Sequence, residues 1–178
     1  FNVVTPATNT RTVTKYRVEC LRGTEAGACT PTGTDVAGAI STTGSARIRA
    51  EISGGTSTSL AAGMHWYCRV GADAFTRAMD TYGGLKFKHT GNANDPDMPG
   101  SGTATTQQLS AGNFVAGSVA RDEAAVVTIP ELAASQKTEM VGYFDFNGVA
   151  GDVVQCRPQL DSGLALDAYT VTPTINLL

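Results

Sequence analysis

Residues 169, 171, 173, 175 and 177 are Tyr, Val, Pro, Ile and Leu, and the positions between them are Thr, Thr, Thr and Asn. An alternation of period two marks a strand with one buried face. The same rhythm recurs upstream. SARIRAEIS sets Ala46, Ile48, Ala50 and Ile52 against Arg47, Arg49 and Glu51, and TVTKYRVEC sets Tyr16, Val18 and Cys20 against Lys15, Arg17 and Glu19. GMHWYCRVG aligns Met64, Trp66, Cys68 and Val70, and GGLKFKHT aligns Leu85 and Phe87. AAVVTIPEL, EMVGYFDF and DVVQCRPQL add three more runs, with Gly-Gly, Asn-Gly, Pro-Gly and Ser-Gly breaks as turn signals. The pattern predicts an all-β fold, an antiparallel β-sandwich of jelly-roll type.

One segment departs from the alternation. In GADAFTRAMDTYGG the residues Ala74, Phe75, Ala78, Met79 and Tyr82 share one helical face. Asp73 is placed to cap its start and Gly83 to end it, so the spacing predicts a short helix over 73–82. A further helical turn is expected after Pro130, in PELAASQK. From His89 to Asn113 no period emerges, and the Gly, Asn, Asp and Thr residues read as a surface loop with at most one weak strand. Pro173 cannot donate to a ladder, so its side of the terminal strand should face something other than a well-paired neighbour.

Composition agrees with strands and turns. Only 16% of the 178 residues are charged, against about 25% in ordinary globular domains. One domain, 13–178, is expected, preceded by an extended arm, 1–12, that is Thr-rich and interrupted by Pro6. Net charge is −3 with acids and bases scattered, so nothing resembles a polyanion-binding face and nucleic acid is not an expected partner. No run of about 20 apolar residues is present to span a bilayer as a helix. The first residue is Phe1, which fits a chain exported after removal of a leader, to the extracellular space or cell surface.

The four cysteines show no metal-ligand spacing and no CxxC. Two disulfides are expected: Cys20–Cys29, stapling LRGTEAGA, and Cys68–Cys156, tying two strand-like runs across the core. No GxSxG, HExxH, P-loop or GxGxxG occurs, and His65, by parity, points to the surface. The chain therefore does not read as an enzyme. Asp145, Asn147 and Asp152, around Gly148 and Gly151, offer oxygen donors at a turn, and calcium is the cation such donors would take. The cluster Asn92, Asn94, Asp95 and Asp97 is a weaker version of the same pattern. A plain hairpin turn and an Asx-rich loop account for both without a metal.

The arm and the terminal strand then carry the functional reading. Phe1, Val3, Val4 and Val13 on one side, and Tyr169, Val171, Pro173, Ile175 and Leu177 on the other, are the candidate subunit-interface residues. An arm laid along a neighbour's sheet edge adds a strand to it, and a head-to-tail contact that does not close makes a filament. This general design resembles strand-complemented pilus and fibre subunits. The expectation is a secreted subunit whose partners are copies of itself in a homopolymer. The alternatives are a carbohydrate-binding or adhesive module, with Tyr67, Tyr82 and Tyr143 as aromatic platforms for a glycan, and a viral coat or decoration protein.

Overall fold

A computed structural model describes residues 11–20, 33–55, 59–90, 99–122 and 127–178. In chain order its strands are β1 (Arg11–Cys20), β2 (Gly38–Ile40), β3 (Ser45–Gly54), β4 (Ala62–Val70), β5 (Thr76–Arg77) and β6 (Phe87–His89). They continue with β7 (Val119–Ala120), β8 (Val127–Ile129), β9 (Lys137–Phe146), β10 (Val153–Leu160), β11 (Ala168–Tyr169) and β12 (Thr174–Leu177). One sheet runs β11-β1-β3-β9-β6, with β7 also on β9, and the other runs β2-β12-β10-β4-β5, with β8 also on β4.

The fold is an all-β sandwich. Its sheets are mixed, because β11 joins β1, β7 joins β9 and β2 joins β12 in parallel while the remaining pairs are antiparallel. A jelly-roll path is an expectation this strand order does not bear out. Parity places the inward residues as the sequence implies. Ala46, Ile48, Ala50 and Ile52 of β3 meet Met140, Phe144 and Phe146 of β9, and Met64, Trp66, Cys68, Val154 and Cys156 close the core from the other sheet. Trp66 stands edge-on to Phe144 with ring centroids 5.6 Å apart. Each such fully buried large side chain contributes about 1.5–3 kcal/mol.

The long strands lie inside the sheets, and short ones finish the edges. The far side of β9 is bordered by β7 at Val141–Gly142 and by β6 at Phe144–Phe146, while Phe114 bridges Lys137. β4 is bordered by β8 at Ala62–Met64 and by β5 at Tyr67–Cys68. Such short strands pair with only part of a long neighbour: β11 meets the ten-residue β1 at Thr12 and Val13.

No helix forms over 73–82. Val70 O accepts from Asp73 N in a turn, Thr76–Arg77 pair with β4, and Ala78 N donates to Trp66 O at 2.9 Å. Met79 O accepts from His89 N at 2.7 Å, so the backbone groups a helix would use internally are taken by strands. The side chain of Phe75 is claimed by two arginines, as described below. The turn expected after Pro130 is likewise non-helical: Leu132 bridges Ser59, and Ser135 takes φ 64°.

The terminal strand is interior to its sheet. β12 pairs with β10 on one side and with β2 on the other, and the side chains of Ile175 and Leu177 are buried in the core. Pro173 just precedes β12 and is itself buried, and its carbonyl accepts from Cys156 N at 3.0 Å. Val13 is also fully buried, and Tyr169 and Val171 pack against the same core. Within the monomer these residues are therefore covered by the chain itself. Phe1, Val3 and Val4 lie outside the described residues.

Candidate functional site: the two outer faces of the sandwich

The outer face of the first sheet is a buried layer of charge. Alternation aims Glu19 of β1, Arg47, Arg49 and Glu51 of β3, and Glu139 and Tyr143 of β9 away from the core, yet each is buried. The cover is the segment 103–119, which lies across this face. Thr105 Oγ1 donates to Glu139 O at 2.8 Å and accepts from Gly117 N at 2.9 Å. Gly117 is required there, since a Cβ would overlap the carbonyl oxygen of Glu139.

The register puts like charges opposite each other, Glu51 against Glu139 and Arg17 against Arg49. That arrangement destabilises a sheet unless diagonal partners intervene. Here they do. Arg49 Nη1 donates to Glu139 Oε2 at 2.8 Å and its Nε to Glu19 Oε1 at 3.3 Å, while Arg47 pairs with Glu19. Lys137 Nζ lies 3.6 Å from Glu51 Oε1, which also accepts from Thr14 Oγ1 at 2.7 Å. Gln108 N and Leu109 N both donate to Glu139 Oε1 at 2.8 Å. Burial raises the Glu139 carboxyl above the usual range, against those two N–H groups and Arg49, which favour the ionised form. With its charges internally paired, this layer is structural.

The outer face of the second sheet is half-exposed and differently built. β4 presents His65, Tyr67 and Arg69, and β10 presents Gln159, Arg157 and Gln155 directly opposite them. Gln155 Oε1 accepts from Arg69 Nε at 3.0 Å and from Nη2 at 2.7 Å. With its amide nitrogen donating to Gly163 O at 2.8 Å, Gln159 accepts from Arg157 Nε at 2.9 Å and Nη2 at 3.0 Å. The Phe75 ring centroid is 4.6 Å from the Arg69 guanidinium carbon and 3.8 Å from that of Arg157, which is also 4.5 Å from the Tyr169 ring. Tyr169 is fixed in turn, its hydroxyl donating to Pro158 O at 2.6 Å and accepting from Leu166 N at 3.0 Å. Partial burial lowers the pKa of Arg157 and Arg69 adds to that, against Tyr169. A cleft of about 180 Å³ adjoins Arg69, bounded by Asp73, Thr76 and Gly84–Phe87.

The sequence-derived candidates fall in several places. Cys68 and Cys156 are bonded, with S–S 2.04 Å, but they are opposite each other on adjacent strands of one sheet, so the bridge runs within a layer and not across the core. Cys29 and the side chain of Cys20 lie outside the described residues, as do Asn92, Asn94, Asp95 and Asp97. Asp145 accepts from Ser45 Oγ at 2.6 Å and lies 3.5 Å from Lys88 Nζ. Asp152 Oδ2 accepts from Lys86 Nζ and from Val149 N, both at 2.8 Å, which lowers its pKa. Asn147 is exposed, its N–H donating to Lys86 O. Asp145 and Asp152 are thus each paired with a lysine ammonium group.

Tyr143, expected outward and free, is buried beside Arg47, and Tyr82 donates to Phe146 O at 3.3 Å. His65 is buried as well, its Nε2 2.6 Å from Asp161 Oδ1. His89 stacks on Phe144 at 5.1 Å, and burial lowers its pKa to about 4. Among the described residues no three His, Cys, Asp or Glu side chains converge as a metal set, and no helix is long and apolar enough to cross a membrane. Arginine at alternate strand positions beside Gln was the available sequence signal for the second face, and Phe75 was hidden by its helical spacing. Comparison with protein families, curated proteins and solved structures finds no match to the chain.

Proposed function

We propose that the chain is an exported structural subunit that polymerises with copies of itself into an extracellular filament, pilus or sheath, by adding its N-terminal segment as a strand to a neighbour. The observation that carries the reading is where that segment joins the sandwich. Arg11 opens β1 next to the sheet's edge, beyond which stands only the two-residue β11. Arg11 is fully buried and held at several points: its N–H donates to Asp167 Oδ2 at 3.0 Å, and its Nη2 to Pro130 O at 3.1 Å and to Leu60 O. The chain before Arg11 therefore leads into an anchored point beside an edge that β11 pairs at Thr12 and Val13. Strand addition is the interaction such a segment suits. The buried disulfide is compatible with an oxidising location.

Negative-stain electron microscopy of the full chain, beside a variant lacking residues 1–10, tests the reading. Regular filaments from the full chain and folded single particles from the variant are expected. Filaments from both would remove the arm from the mechanism, and single particles from both would remove polymerisation.

A further inference from the structure

Arg69 and Arg157 differ from six other cations of the described residues. Lys86, Lys88, Lys137, Arg17, Arg47 and Arg49 each lie within reach of a carboxylate. Arg69 and Arg157 do not. Each is splinted by a glutamine oxygen that takes its Nε and Nη2, which leaves Nη1 unclaimed. Two guanidiniums on one open sheet face, within a chain of net charge −3, are thus held in position without being neutralised. Holding them near each other costs Coulomb energy that a bound anion would offset. Their rotamers are fixed by amides and by the rings of Phe75 and Tyr169, so little side-chain entropy remains to be lost on binding.

We propose that the outer face of the second sheet is a binding site for an acidic saccharide, its carboxylate or sulfate received by Arg69 and Arg157. The forked guanidinium matches the planar carboxylate and the sulfate oxygens. Hydroxyls beside the anion meet donors already on the face, the spare Nε2 hydrogens of Gln155 and the hydroxyl of Tyr67, which is opposite Arg157. Tyr67 is half-exposed, so part of its ring remains to pack on the apolar side of a sugar. The site lies within one subunit and does not depend on polymerisation.

Calorimetric titration of the full chain with a galacturonate tetrasaccharide, a heparin-derived tetrasaccharide, neutral maltotetraose and tetraglutamate tests it. One or both acidic saccharides are expected to bind, while maltotetraose does not. The double variant Arg69→Gln, Arg157→Gln is expected to lose affinity at least about tenfold, with its fold checked by thermal melting. Should the variant not fold, phenylglyoxal labelling of the unaltered chain replaces it, and the bound saccharide is expected to slow modification at both arginines. No saccharide binding at about 1 mM, equal binding of tetraglutamate, or unchanged labelling would overturn the proposal. Self-association abolished by the double variant, with no saccharide bound, would assign the face to a second copy and overturn it equally.

Discussion

Gly142 of β9 lies directly beneath the indole of Trp66: a Cβ at position 142 would stand 2.5 Å from Trp66 Nε1 and 2.7 Å from the Phe144 ring. The two sheets close on each other at this point because one residue has no side chain. Gly142→Ala therefore forces the indole or the phenyl ring from its place, and overpacking of this kind costs about 1–3 kcal/mol. Urea unfolding of the variant is expected to show a lower midpoint with an unchanged slope.

His89 makes the fold sensitive to acid. Its folded pKa of about 4 lies below the unfolded value near 6.5, so the unfolded chain binds the additional proton between those limits. Stability from this group is fully present above pH 6.5 and falls as pH drops toward 4, by about 3 kcal/mol in all. A series of urea unfolding curves across that range is expected to show the loss. His89→Phe, which keeps the stack on Phe144, is expected to flatten it.

Cys68 and Cys156 are fully buried, so reductant reaches them only when the sandwich opens. Native protein is expected to keep the bridge in dithiothreitol and to lose it once urea is added, read by alkylation and mass spectrometry. The bridge spans 88 positions. Its replacement by alanines is expected to cost about 4–5 kcal/mol in the chain-entropy model, seen as a lower melting temperature.

Glu139 fastens the covering segment to the first sheet. Glu139→Ala leaves Arg49 partly unmatched inside the protein, a change that costs about 3–5 kcal/mol for buried pairs. The N–H groups of Gln108 and Leu109 lose their acceptor at the same time. Hydrogen exchange is expected to rise first at those two amides, before global unfolding does.

Inward parity was legible from the sequence, at β3 above all, and so was the pairing of Cys68 with Cys156. Exposure was not. Arg47, Arg49 and Glu51 look outward in the alternation and do point away from the core, but all three are buried, Arg49 and Glu51 in contact with 103–119. That segment has no period of its own, because it docks through isolated backbone and hydroxyl contacts such as Thr105 Oγ1 to Glu139 O. The helix expected over 73–82 failed for a related reason. Its apolar spacing was real, but Phe75 serves arginines from two other strands and Ala78 bonds to Trp66, contacts that no local pattern encodes. The site on the second face joins residues 69, 75, 155, 157, 159 and 169, so only strand pairing brings it together.

Trp66 is the chain's single tryptophan and is wholly enclosed between the sheets. The protein consequently carries its own optical gauge. Indole emission from the intact sandwich arises from one apolar environment, and a shift to longer wavelength reports water arriving at the interface between the layers. Binding at the outer face, or strand exchange at an edge, leaves that interface closed and the emission colour unaltered, whereas any change that parts the two sheets moves it.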